Sequence, residues 1–226
     1  AWSYEIGTKN RLRGGRLSVD ASIYTIDWTD IPVNIYLGMG CNRGVVLNAA
    51  SATSKGADLQ IAMAVTDQFT MSLAVAFNES EYDKPMLGSP DPVSGARPII
   101  INEGNSLPGV VPYTLAFSGE YQTNMFGRDV IARLSYTRSD AQDTPTQAQD
   151  PLTTAYEGPQ YKLDPSVTEL DFQLSTNIGD TEVVLYVDNM LNKHPTFVHD
   201  SGYWSNIMLL RTIRPRTFGV AFYYRR

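Results

Sequence analysis

The sequence has few cysteines, no long apolar run and no excess of basic residues, and each of these absences excludes a class of protein or partner. Its single cysteine, Cys41, cannot form a disulfide within the chain. No apolar run approaches the roughly 20 residues that a membrane-spanning helix needs, which excludes a helical membrane protein. The 18 basic residues are scattered and are outnumbered by 24 acidic ones, giving a net charge of −6. Because nucleic-acid binding usually needs a basic patch, we expect no nucleic-acid partner.

Motifs that carry enzyme chemistry are also absent. No Gly-x-Ser-x-Gly sequence, phosphate-binding loop or dinucleotide-binding motif occurs. His194, His199 and Asp200 lie close together, but the spacing of the two histidines matches no metal-binding pattern. We therefore expect no enzyme, cofactor or metal site. An enzyme stays an alternative that an esterase or protease assay would test.

The feature that dominates the sequence is an alternation of large apolar with small or polar residues. From Phe69 to Asn78, every odd-numbered residue is large and apolar and every even-numbered one is small or polar. Successive side chains of a strand point to opposite faces, so the pattern predicts strands with one apolar face. Related segments predict about nine strands and no helix: residues 2–9, 16–23, 57–66, 69–78, 113–122, 130–137, 169–178, 183–187 and 218–224. Residues 183–187 are apolar on both faces, and we expect a plug or a loop to cover their inner face.

The connections between these segments alternate between short and long. The short turns are Arg13-Gly14-Gly15, Thr66 to Gln68, Thr123 to Arg128 and Gly179-Asp180, and the long loops are about Asp30–Gly44, Asp83–Gly109, Ser139–Pro165 and Asn192–Asn206. Most prolines, from Pro32 onward, fall in the long loops or near strand starts, and none in a strand centre. The alternation places all short turns at one end of the sheet. Outer-membrane barrels have this asymmetry, with short periplasmic turns and long extracellular loops.

Aromatic residues gather near the ends of the predicted strands. They fit the aromatic girdles of a membrane barrel: Tyr24, Trp28, Phe77, Tyr82, Tyr113, Tyr121, Tyr136 and Tyr224. A soluble β-sandwich that binds a partner is the alternative reading of the same pattern. The length of the alternating segments weighs against it, since typical soluble strands have about six residues.

Five segments resemble the C-terminal β-barrel region of TonB-dependent outer-membrane receptors. Residues 3–31 are similar to a family hairpin with a Tyr-Glu-x-Gly-x-Lys strand, and residues 48–83 to the next hairpin. Residues 109–121 resemble a Pro-x-Tyr-x-Leu strand, residues 187–195 (VDNMLNKHP) the Asn-Leu-x-Asn-Lys segment, and residues 215–224 the closing strand. The resemblance implies an all-β, antiparallel up-and-down transmembrane barrel of 22 strands in the bacterial outer membrane.

Nine strands are too few for such a barrel, so we expect residues 1–226 to be the C-terminal part of one. No signal peptide opens the sequence, and an odd strand count with Arg226 in the periplasm requires an upstream extracellular loop. We therefore expect the plug domain, the TonB box and the earlier strands to lie outside this chain. The expected partners are the TonB complex through the missing N-terminal region, outer-membrane lipid and lipopolysaccharide, and a small-molecule ligand.

The resemblance implies TonB-driven active uptake of a scarce solute, such as an iron-siderophore, cobalamin or a glycan. A passive porin or an adhesin barrel is the alternative. Aromatic residues and arginine dominate binding hot spots, so the candidate ligand contacts are loop residues of these types: Arg97, Tyr156, Tyr161, Tyr203 and Trp204. We expect the acidic stretch from Asp140 to Asp150 to solvate the surface or to bind cations that bridge lipopolysaccharide. Charged residues should line the interior: Glu5, Lys9, Arg16, Asp20, Asp58, Glu120, Arg133, Glu169 and Asp171.

Overall fold

In the part of the chain that the structure describes, the main element of the fold is one open antiparallel sheet of nine strands. The computed structural model describes residues 1–36, 44–91, 93–159, 162–200 and 208–224. In chain order the strands are β1 (Trp2–Leu12), β2 (Leu17–Tyr36), β3 (Gly44–Ala64), β4 (Phe69–Tyr82), β5 (Met86–Leu87), β6 (Ile99–Ile101), β7 (Tyr113–Met125), β8 (Arg128–Ser139), β9 (Val167–Ile178), β10 (Thr181–Asp188), β11 (Phe197–Asp200), β12 (Met208–Arg211) and β13 (Thr217–Tyr224). The large sheet has the order β1-β2-β3-β4-β7-β8-β9-β10-β13. Within the described ranges no helix is long and apolar enough to cross a membrane.

Register aligns the large apolar residues of neighbouring strands on one side of the sheet. Leu73 of β4 lies opposite Ile61 of β3 and Phe117 of β7. This side is called the apolar face, and the opposite side, which carries Asp58 and Ala74, the polar face. The apolar residues from Phe69 to Phe77 span roughly 27 Å along the strand, or about 21 Å with a tilt of about 40°. A membrane barrel has an apolar band about 25 Å tall, so the height fits.

Four tight turns lie at one edge of the sheet, which is called the short-turn end. A 3-10 turn at Arg13–Gly15 joins β1 to β2, and residues 65–68 join β3 to β4. The predicted turn from Thr123 to Arg128 is shorter than expected, because β7 continues to Met125 and β8 begins at Arg128. Gly179-Asp180 connects β9 to β10 as predicted. The predicted alternation of short and long connections is therefore confirmed.

The opposite edge, called the long-loop end, contains more regular structure than the sequence suggested. Two additional hairpins, β5–β6 and β11–β12, form separate two-stranded sheets. The loop expected at Asp30–Gly44 is wrong in its bounds, since β2 continues to Tyr36 and β3 begins at Gly44. Pro32 lies inside β2, opposite Asn48, where the register shifts. A bulge is one of the few places where a sheet tolerates proline, which explains the exception.

Three aromatic residues assigned to the girdles lie on the polar face instead. Tyr24 is opposite Gly56 and shares the face of Ser22, and Trp28 and Tyr82 both pair with Ala52. Register decides this, because a residue at an even position of β2 cannot share a face with Ile23. A methyl group added to Gly56 would overlap the Tyr24 ring. The glycine thus makes room for a tyrosine lying across the inner side of the sheet.

The hydrophobic core lies at the long-loop end rather than in the middle of the sheet. Its members come from the extended parts of β2, β3 and β4 and from the β5–β6 hairpin. They are Ile31, Val33, Ala50, Ala52, Tyr82, Met86 and Ile101. The strands continue beyond the apolar band because this core packs against them.

Candidate functional site at the long-loop end

The described residues of two segments, 83–91 with 93–112 and 140–159 with 162–166, form a folded rim above the polar face. The first of these segments follows β4 upward and returns along it. The backbone N–H of Tyr82 donates to Asn105 O at 2.9 Å, and that of Leu107 donates to Ser80 O at 3.0 Å. Ile101 is fully buried against the core. The rim is therefore continuous with the sheet and not a free loop.

The two segments of the rim are bonded to each other. The N–H of Ser106 donates to Pro145 O at 2.9 Å, and that of Thr154 donates to Ile99 O at 2.7 Å. Within the second segment, Gln149 Nε2 donates to Gln142 Oε1 at 3.1 Å. The rim contains few strands. These hydrogen bonds hold it in a defined conformation, because its backbone and side-chain amide groups bond to one another.

A buried carboxylate joins the two segments. The Asp150 side chain is only 7% exposed, and Asn105 Nδ2 donates to its Oδ2 at 2.9 Å. Asn102 Nδ2 adds a longer bond of 3.4 Å, and Leu152 N donates to Oδ1 at 2.9 Å. Burial by itself raises the pKa of the Asp150 carboxyl, but these hydrogen bonds outweigh it and hold the pKa below its ordinary value. Asp150 is thus ionised at neutral pH.

The interpretation of the stretch from Asp140 to Asp150 as solvated surface is wrong for Gln142 and for Asp150, which are both buried. Asp150 lies in the interior of the rim, whereas Asp143 is exposed as expected. Local alternation does not reveal this burial, because Asn102 and Asn105, which donate to Asp150, lie about 45 residues upstream. Among the described residues no cluster of three or more metal-binding side chains occurs.

Two of the five candidate ligand residues can be placed. Arg97 is exposed in the rim, and its Nε donates to Gly88 O at 2.9 Å. Tyr156 is half-buried in the second segment, two residues from the bond between Thr154 and Ile99. The rim therefore brings the segments of Arg97 and Tyr156 together. Tyr161, Tyr203 and Trp204 lie outside the described residues.

The residues of the enzyme alternative do not form a described site. His194 is exposed. His199 and Asp200 lie in β11, where their side chains are not described, and Cys41 lies outside the described residues.

The polar face is lined by small side chains with charged groups around them. A groove of about 380 Å³ runs over Ser72, Ala74, Ala116 and Ser118, with Asp20 at its border. Arg133 Nε donates to Glu120 Oε2 at 3.1 Å across β7 and β8, so two of the predicted interior charges pair with each other. Arg16 differs from its prediction: it lies in the turn before β2, where its guanidinium pairs with Asp67 at 3.0 Å.

Asn189 fixes the long-loop end of β10, although it is not among the residues predicted as a functional site. It is 2% exposed and has a φ of 48°. Its Nδ2 donates to Lys193 O and to Arg214 O, each at 2.9 Å, and its Oδ1 accepts from Lys193 N. One asparagine therefore ties the chain leaving β10 to the chain entering β13. The Asn-x-x-Asn-Lys resemblance was the signal that marked it.

Comparison with known proteins now decides the family. The sequence profile described as "TonB dependent receptor-like, beta-barrel" matches residues 1–190. The chain belongs to this family. TonB-dependent receptor barrels are outer-membrane proteins of Gram-negative bacteria, and their family consists of receptors and transporters rather than enzymes. A search of curated protein sequences finds no match.

Solved structures show the same fold at low sequence identity. The ferric yersiniabactin uptake receptor FyuA from Yersinia pestis has a TM-score of 0.68 and 15% identity, over 98% of this chain and 30% of that one. The ferric-catecholate import receptor Fiu from E. coli K12 has a TM-score of 0.65 and 16% identity, over 97% and 26%. The copper transporter OprC has a TM-score of 0.65 and 16% identity, over 96% and 31%. This chain thus spans about a third or less of each of these receptors.

Family membership orients the sheet. The apolar face contacts lipid, and the polar face lines the barrel interior. The short-turn end is periplasmic, and the rim at the long-loop end is extracellular. The β-sandwich alternative is excluded, because the nine strands form one sheet with the lipid-facing pattern of this family.

Proposed function

We propose that the protein takes up a scarce solute across the outer membrane in a TonB-dependent manner. This chain supplies part of the barrel wall and of the extracellular rim. Family membership supports uptake in general. The similar structures are an uptake receptor for ferric yersiniabactin, an import receptor for ferric catecholate and a copper transporter. A metal or a metal chelate is therefore the leading cargo class, with cobalamin and glycans as further candidates.

The observation that carries the proposal is the folded rim above a polar interior. The rim is held by a buried core and by Asp150, so its outer residues are preorganised. Arg97 is exposed on the rim, and a guanidinium suits the carboxylate and catecholate groups of metal chelates. Tyr156 offers an aromatic surface nearby in the second segment. We propose these two, together with Tyr161, Tyr203 and Trp204, as ligand contacts.

The partners in this proposal lie partly outside the chain. We propose that a plug domain, further strands and the segment that binds TonB belong to other parts of the same protein. Contact with lipopolysaccharide is proposed for the outer surface just above the lipid-facing residues. Lys55 and Glu79 lie opposite each other there, and Glu81 follows on the same face. Such charges can bind phosphates or the cations that bridge them.

The test uses the full-length receptor in a strain that lacks its chromosomal copy. Arg97→Ala and Tyr156→Ala are compared with Val93→Ala, a change at an exposed rim residue that is not a candidate. Uptake is measured for a panel of ferric siderophores, copper, cobalamin and oligosaccharides, with and without TonB. We expect TonB-dependent uptake of one class, and a roughly tenfold weaker affinity when a hot-spot residue is truncated, about 1.4 kcal/mol. Uptake that persists without TonB would indicate a passive channel and overturn the proposal.

A further inference from the structure

The periplasmic turn between β7 and β8 exposes a phenylalanine in a backbone conformation that suits other residues. Phe126 and Gly127 have φ values of 54° and 73°, and they form a two-residue hairpin turn. Such turns favour asparagine or glycine at the first position, because a bulky side chain is strained at positive φ. The Phe126 side chain is nevertheless 98% exposed. No contact within the described residues accounts for a large apolar group at this position.

The surroundings of Phe126 continue the lipid-facing surface. Met125 is half exposed and follows Tyr121 and Thr123 on the apolar face. Arg128 lies opposite Met125 in the hairpin, and its Nη1 donates to Asn177 O at 3.1 Å. A guanidinium has five N–H donors, so this bond leaves capacity for phosphate oxygens.

At their tips, the other short turns of the sheet present polar or small residues. Gly14, Asp67 and Asp180 are at these positions, and all three are exposed. The β7–β8 turn therefore has a large apolar side chain at its tip beside a cation, whereas the tips of the other short turns are polar or small. An aromatic or apolar group beside a basic residue is the pattern of a segment that lies in the interface of a bilayer.

We propose that residues 125–128, called the anchor turn, bind the periplasmic leaflet of the outer membrane. Phe126 and Met125 enter the boundary between headgroups and acyl chains, and Arg128 pairs with a phospholipid phosphate. The occupant is lipid rather than another protein, because the apolar residues are continuous with the face that already contacts lipid. This inference depends on the membrane location of the family and not on the proposed uptake.

Spin labels test the depth of the anchor turn. A nitroxide is attached at Phe126→Cys in the full-length receptor, with Cys41 and any other cysteine replaced by serine, in vesicles of phosphatidylethanolamine and phosphatidylglycerol. Asp67→Cys, on the neighbouring short turn, is the matched control. We expect oxygen to reach the label at 126 more readily than a water-soluble nickel chelate does, with the reverse ratio at 67. Equal ratios at both sites place the turn in water, and low access of both reagents at 126 indicates a protein contact; either result overturns the proposal.

A second variant tests whether Phe126 anchors the turn in lipid or only forms the turn. Phe126→Asn suits the positive φ better, so it should raise the stability of the receptor if Phe126 only forms the turn. In the same vesicles we instead expect a lower urea midpoint for this variant, because the lipid contact is lost. A raised or unchanged midpoint contradicts the anchor. The Asp67→Asn variant controls for changes at a short turn without lipid contact.

Discussion

Several polar residues of the rim are buried, and Asp150 among them carries a charge. The contribution of this charge to the stability of the rim can be measured by changing the pH. The folded-state pKa of Asp150 is lowered, so the residue stabilises the rim above the unfolded value of about 3.9, and this stabilisation is lost as the pH falls through the folded value. We expect the amide of Leu107 to lose protection from hydrogen exchange below about pH 4, after correction for intrinsic rates. The measurement is hydrogen exchange on the full-length receptor in detergent.

Substitutions at the same position sharpen this prediction. Asp150→Asn removes the charge-assisted bonds from Asn105 and the backbone, at a cost of about 1–3 kcal/mol to the rim. Its rim should exchange faster at neutral pH and show no additional loss in acid. Asp143→Asn changes the same charge at an exposed site of the same segment and should have little effect. Equal behaviour of both variants would show that the acid effect arises elsewhere.

For single residues, the sequence identifies candidates by residue type but does not show which residues make the important contacts. Residue type predicts Arg97 and Tyr156 as ligand contacts, and the structure places both in the rim. Asp150 and Asn189 were not chosen, because their importance comes from partners distant in the sequence. A buried asparagine at positive φ is a tertiary feature, since only the crossing of two chain segments supplies carbonyl acceptors for its amide.

On the polar face, a large side chain of one strand packs over a glycine of the neighbouring strand. Tyr186 of β10 lies across Gly219 of β13, and a methyl group added there would overlap its ring. We expect Gly219→Ala to destabilise the receptor by about 1–3 kcal/mol, because the tyrosine is forced from its position. Urea unfolding in vesicles measures the change.

A matched control is available within the same sheet. Gly119→Ala adds a methyl group at ordinary contact distance, 3.4 Å from Phe69 Cε2, and should cost less. Gly219→Ala should lower the stability much less in a Tyr186→Ala background than in the unmodified receptor, because the ring that it would displace is gone. Additive effects of the two substitutions would show that the tyrosine and glycine do not interact.

Strand positions followed from the sequence where one face meets lipid. Alternation from Phe69 to Phe77 located β4, and each of the nine predicted segments corresponds to one strand of the sheet. The upper parts of β2 and β3 were missed, because the core at the long-loop end replaces the two-sided pattern there. Local rules predict a loop around Pro32. The neighbouring Ile31 and Val33 are buried in the core, and this burial keeps the segment paired with β3.

At the scale of the whole chain, a rim packs through a shared core on the upper ends of β2, β3 and β4, above the lipid-facing part of the sheet. The rim and the lipid-facing part should respond separately to substitution. Ile101→Ala should cost about 2–5 kcal/mol of rim stability, because the side chain is fully buried. We expect faster proteolysis between residues 83 and 112 and weaker solute uptake. Membrane insertion, read from heat-modified migration on gels, should be unchanged.

Leu152→Ala is the control for this prediction, because Leu152 is exposed on the second rim segment. Its proteolysis and uptake should match those of the unmodified receptor. Loss of insertion in Ile101→Ala would contradict the separation of rim and sheet, since it would mean that the core is needed to form the wall.

The geometry of the sheet also bears on closure of the barrel. Nine antiparallel strands leave β1 and β13 running in the same direction. A barrel closed by antiparallel pairs from this sheet therefore needs an odd number of additional strands. Those strands, together with a plug, are part of the proposal that residues 1–226 form one portion of a larger receptor.

The sequence by itself determined the strands, their lipid-facing side and the two unlike ends of the sheet, because a bilayer imposes a strict two-residue pattern on each strand. The tertiary structure decided the extension of β2 and β3, the faces of Tyr24 and Trp28, and the assembly of the rim around Asp150. These depend on register and on contacts between segments about 45 residues apart, and no local pattern encodes such contacts. The alternating faces that indicate a membrane sheet also explain why the core lies at its long-loop end, since within the bilayer lipid already covers the apolar face.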